Sequence, residues 1–128
     1  MPNKFVFADE AGCFTFKRCT GASRYFLLCT LTTEDCALSS ELLDIRRKLC
    51  ADGEPDRDKL HAASDQQATR DRVFDVLAKH KFRVDATILE KSKAQPQTRT
   101  SEPVFYQYAW YYHFSMLARG SWLVPTSC

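Results

Sequence analysis

No apolar run in this chain approaches the roughly 20 residues that a membrane span needs, and the opening Met1-Pro2-Asn3-Lys4-Phe5 lacks the apolar core of a signal peptide. Both absences point away from the membrane and toward a cytoplasmic home. Paired cysteines are missing too. Cys13, Cys19, Cys29, Cys36, Cys50 and Cys128 include no Cys-x-x-Cys and no Cys/His cluster with zinc spacing, so reduced thiols are expected. Nor is there a strong charge of one sign: the net charge of +2 excludes attraction of nucleic acid by the molecule as a whole and leaves only local patches. No internal repeat or low-complexity tract appears, which excludes solenoid and fibrous architectures. What is there is 128 residues, 45% hydrophobic and 27% charged, the make-up of one globular domain over 1–128 with a core of its own.

The chain is organised around Phe5-Val6-Phe7-Ala8-Asp9-Glu10-Ala11-Gly12, an apolar run that meets two acids and turns at a glycine. Side chains alternate along a strand, so Phe5, Phe7 and Asp9 share one side and Val6, Ala8 and Glu10 the other. Both sides are apolar before the acids, which reads as a central strand covered on both faces. Gly12 permits a tight hairpin into Phe14-Thr15-Phe16 as a second strand, and Arg24 to Leu31 is a third. Leu38, Leu42, Ile45 and Leu49 recur at helical spacing, with Thr33 or Ser39 as N-cap, Gly53 as the stop, and Asp44 with Lys48 on the outer face. Leu60-His61-Ala62 is a short strand candidate. Ser64-Asp65-Gln66-Gln67 fits a capping box for a second helix, which buries Val73, Phe74, Val76 and Leu77 and ends near His80. The stretch 82–90 alternates, with Phe82, Val84, Ala86 and Ile88 as its apolar face. Glu102-Pro103 starts a third helix that is aromatic nearly all round, stopped by Gly120. An irregular tail over 119–128 follows. This order predicts an α/β mixed sheet with helices on its faces.

Phe7-Ala8-Asp9-Glu10-Ala11-Gly12, Arg24-Tyr25-Phe26, Leu60-His61-Ala62 and Arg70-Asp71-Arg72-Val73-Phe74, in that order, resemble the bacterial domain-of-unknown-function 3800 family. The resemblance covers the chain from about Lys4 to Phe114 and implies a ribonuclease H-like fold. Family members typically carry Asp-Glu-Ser-Gly-Asp at the first strand; here Ala11 replaces the serine and Cys13 the closing aspartate. They also run to about twice this length, with a further acidic motif in their C-terminal half, so the resemblance implies that this chain is the N-terminal portion of such a domain.

Nucleases of that fold gather three or four carboxylates around two Mg²⁺ ions roughly 3.5 to 4 Å apart. The resemblance therefore implies a metal-dependent nuclease or phosphoryl-transfer domain using Mg²⁺ or Mn²⁺, silent as a short chain. Asp9 reads either as a metal ligand or as an Asx turn that caps backbone amides. Glu10 is its catalytic neighbour, although it points the other way unless the strand breaks. Glu41, at the edge of the first helix's apolar stripe, reads as a second metal ligand or as a solvated glutamate. His61 lies just before a helix N-terminus, where it binds a phosphate, moves a proton, or is satisfied by backbone groups. A convergence of His61 and Asp9 in one cleft is expected of catalytic groups. In the loop from Lys91 to Thr100, Lys91, Lys93 and Arg99 are the candidate nucleic-acid contacts.

The rival to catalysis is a non-enzymatic assembly module. In the last helix Phe105, Ala109, Tyr112 and Met116 form one apolar stripe, flanked on both sides by more aromatics. One sheet covers only one side of a helix. Self-association through Phe105, Tyr108, Trp110 and Tyr112 is the expected remedy.

Overall fold

Gly12 ends the first strand. In the computed structural model, which describes residues 3–121, β1 (Phe5–Ala11) stops where Gly12 takes a φ of 112°. The chain does not turn straight back, however. Phe14 to Phe16, expected as a strand, lie in a loop, and β2 (Tyr25–Thr33) begins only after it. The carbonyls of Cys13 and Thr15, which a hairpin would use in its ladder, instead accept from the Lys91 ammonium at 3.0 and 2.7 Å. Their neighbours Phe14 and Phe16 turn their rings onto Phe26 and Phe105.

Two helices follow, α1 (Ala37–Ala51) and α2 (Gln67–Leu77), before β3 (Arg83–Glu90), two short 3-10 turns over Lys91–Lys93 and Pro96–Arg99, and α3 (Glu102–Ser121). The three strands form one sheet in the order β1-β2-β3. It is antiparallel, not mixed: the Lys91 amide donates to the Arg24 carbonyl at one end of the β2–β3 pair (3.1 Å), while the Thr33 hydroxyl meets the Lys81 carbonyl near the other (3.4 Å). β2 is therefore the central strand. β1, expected to be central and covered on both faces, is an edge strand, with a partner on one side only, and every residue of it is exposed.

Contacts gather the chain into two compact units, one drawn from Thr32–Arg83 and the other from Val6–Leu31 together with the chain from Val84 onward. In the first unit Ile45 and Leu49 of α1 meet Val76 of α2, with Leu42, Leu60 and Val73 around them. The helical spacing in the sequence marks this stripe correctly, except that Phe74 is 67% exposed. Neither Thr33 nor Ser39 caps α1; the Asp35 carboxylate accepts from the Ala37 amide at 2.9 Å. Gly53, at a φ of 93°, does stop it, with the Glu54 amide reaching back to the Leu49 carbonyl at 3.0 Å. Asp44 pairs with Arg47, one turn position short of Lys48. The capping box does not form either: Gln66 is the N-cap without a side-chain bond, and Leu60-His61-Ala62 is not a strand.

In the second unit α3 lies on the sheet, where Phe105 and Ala109 pack on Phe26 and Leu28. The next inward position is His113, not Tyr112, so the stripe runs through 105, 109 and 113 and leaves Tyr112 and Met116 about half exposed. α3 continues through Ser121, so 119–121 are helical; 122–128 lie outside the described residues.

Candidate functional site

β1 delivers Asp9 and Glu10 side by side to an exposed sheet edge. The Asp9 carboxylate accepts from the Glu10 amide at 3.0 Å, so one of its oxygens already serves the backbone. Glu41 is in the other unit, on α1, where one carboxylate oxygen bonds His80 Nε2 at 2.7 Å and the other lies 3.7 Å from the Lys79 ammonium. The His80 hydrogen bond first, with the Lys79 charge adding to it, holds this carboxyl below the usual range. Its side chain is 40% exposed, so it is a partly solvated glutamate held in ion pairs. Among the described residues no three His, Cys, Asp or Glu side chains are grouped so as to hold a metal ion.

His61 belongs to the same unit as Glu41 and is exposed in the loop before α2. Its backbone amide donates to Asp65 at 2.6 Å, and the other Asp65 oxygen accepts from Arg57, which also grips Glu54. Asp65, read from sequence as part of a cap, thus ties the loop together. A concavity of about 440 Å³ opens here, lined by Asp56, Arg57, Lys59, His61, Ser64 and Asp65.

The three loop cations separate. Lys91 is only 5% exposed, which removes it from any nucleic-acid surface; its ammonium bonds the Cys13 and Thr15 carbonyls and, at 3.3 Å, Cys13 Sγ. Lys93 sits on Glu90 at 3.0 Å. Arg99 is exposed on the second 3-10 turn. Glu90 takes up much of the local positive charge, since Arg24 bonds it at 2.8 Å and Ser92 at 3.1 Å; Arg24 first, then Lys93, bring its carboxyl down to about 2. Of the loop's cations, Lys93 is thereby paired with an acid and Lys91 is buried, which leaves Arg99 as the exposed one.

Two further arrangements lie outside the sequence reading. A groove of about 670 Å³ runs between β3 and α3, with Tyr25, Leu89, Tyr108 and Tyr112 on its walls and Glu90 and Lys93 at its rim. Beneath α3, His113 is 1% exposed and bridges two strands, with Nε2 2.9 Å from the Thr30 hydroxyl and Nδ1 2.7 Å from that of Thr87. A histidine at the inward spacing of an aromatic helix was the available clue to the second; nothing local marks the first. No helix among the described residues is long and apolar enough to cross a membrane. Compared with protein-family models, curated proteins and solved structures, the chain matches none.

Proposed function

We propose that this chain is an assembly module of ribonuclease H-like ancestry, akin to the domain-of-unknown-function 3800 family, which associates with a second copy of itself through the outer side of α3. The observation that carries the reading is the set of large apolar side chains that α3 leaves in solvent: Tyr111 at 73%, with Tyr108, Tyr112, Phe114 and Met116 each near half. Exposed large apolar side chains in this number on one element mark interaction sites in soluble proteins. Aromatic rings bury roughly 150 to 250 Å² each when fully covered; four rings that are about half or more exposed, with Met116, supply a large part of the roughly 800 Å² per partner of a stable interface. Phe105, included in the expected contact, is instead core at 3% exposure, and Trp110 is half-buried. Tyr108 and Tyr112 remain its centre.

The competing reading is the metal-dependent nuclease. It is supported by the acids ending β1, while among the described residues no three metal-ligating side chains are grouped. Sedimentation velocity at tens of micromolar should give a dimer or larger species, and Tyr108→Ser with Tyr112→Ser should weaken association at least tenfold. A wild-type monomer sinks the assembly reading. In parallel, millimolar Mg²⁺ should leave the thermal midpoint unmoved; a rise that Asp9→Asn abolishes, with metal-dependent cleavage of RNA or DNA, would put the nuclease first.

A further inference from the structure

We propose that Cys13 is a reactive thiolate, poised by Lys91 and Ser23 for exchange with low-molecular-weight disulfides. Lys91 carries the case. Its ammonium is buried, and its three protons have three acceptors: Cys13 O at 3.0 Å, Thr15 O at 2.7 Å and Cys13 Sγ at 3.3 Å. Of these, only the sulfur is able to bear negative charge. A buried cation without a countercharge is costly, so the pairing favours the thiolate.

The same sulfur accepts from the Ser23 amide at 3.3 Å and the Ser23 hydroxyl at 3.4 Å, while the Ser23 oxygen in turn accepts from the Cys13 amide at 2.9 Å. Two residues ten apart are locked face to face. Gly12 makes this approach feasible, since a Cβ there would sit 3.2 Å from the Ser23 oxygen and 2.6 Å from the Tyr25 carbonyl. These bonds, Ser23's side chain first, then the amides of Ser23 and Thr15, with Lys91 adding to them against desolvation, bring the thiol down to about 6. At neutral pH the thiolate form dominates. Cys13 is half-buried, so a small reagent reaches it, whereas Cys19 and Cys50 are more exposed. Access and ionisation thus favour different cysteines, and this makes the proposal testable.

In the step itself the Cys13 sulfur attacks one sulfur of R–S–S–R. A new S–S bond forms to Cys13 as the old one breaks, and the other half leaves as RS⁻, taking a proton from water according to its own pKa. Cys13 is oxidised and the leaving sulfur reduced, so no further oxidant is needed. The product places a neutral sulfur against Lys91.

The experiment treats the full chain with 2-hydroxyethyl disulfide between pH 6 and 8.5 and maps each modified cysteine by peptide mass spectrometry. Cys13 should react at least tenfold faster than Cys19 or Cys50 at pH 6.5, and its rate should level off above about pH 7 while theirs keeps rising. Ser23→Ala, with folding checked by circular dichroism, should move the Cys13 profile to higher pH, and Lys91→Met should move it in the same direction where that variant folds. Equal rates at Cys13 and Cys19 at pH 6.5, or an unmoved profile in folded Ser23→Ala, overturn the proposal.

Discussion

Single residues differ in whether their neighbours matter, and the glycines illustrate it. Gly12 and Gly53 both hold positive φ, at 112° and 93°, but a Cβ on Gly12 meets the Tyr25 carbonyl while one on Gly53 meets nothing within 4 Å. Left-handed backbone costs a non-glycine residue about 1 to 2 kcal/mol. Gly53→Ala should therefore lose about 1 kcal/mol in urea unfolding, and Gly12→Ala clearly more, since β2 must shift to admit the methyl. Equal losses would show that Tyr25 moves freely. Both glycines are legible in the sequence as turn signals. The clash at Gly12 is not, because it depends on a residue 13 positions away.

At the scale of elements, β3 runs opposite to its own pattern. Val84, Ala86 and Ile88 alternate as a core face should, yet they are exposed, Val84 at 54% and Ile88 at 63%. The side turned to α3 is that of Thr87 and Leu89. The reason lies in α3, whose third inward position is His113: a buried imidazole needs partners for both nitrogens, and Thr30 and Thr87 supply them. Burial holds His113 below its ordinary 6.5, with Asp85 pulling the other way by less. The unfolded chain takes up this proton near 6.5, whereas the folded chain resists until lower pH. The contribution is thus whole above 6.5 and is lost as pH falls from there through the folded midpoint. Urea midpoints should drop between pH 7 and 5.5, and less so in His113→Gln. An imidazole midpoint above 6.5 by NMR would reverse the sign and refute this.

Across the whole molecule, buried and exposed aromatics serve different ends. Phe105 touches Phe14, Phe16 and Phe26 with ring centroids 6.3, 4.9 and 5.4 Å away, so Phe105→Ala should cost about 3 to 5 kcal/mol of stability. Tyr111→Ser, by contrast, should leave the urea midpoint within about 0.5 kcal/mol and weaken self-association. A variant at Tyr111 that unfolds the protein, or one at Phe105 that does not, would mean that the two roles are misassigned.

Local chemistry determined where elements begin and end: the strand into Gly12, the α1 stripe stopped by Gly53, and the start of α3 at Glu102-Pro103. These depend on backbone conformation and on spacing, both of which a short segment carries in itself. Tertiary structure decided which face of β3 and α3 is inside, because alternation marks two faces and only the packing partner selects one. It also decided the fate of charge. Lys91 and Lys93 look alike two residues apart, but the first lies buried against Cys13 and the second on the surface against Glu90. The partners of a cation come from distant parts of the chain, so whether it binds a phosphate, a carboxylate or a thiolate is settled only when those parts meet.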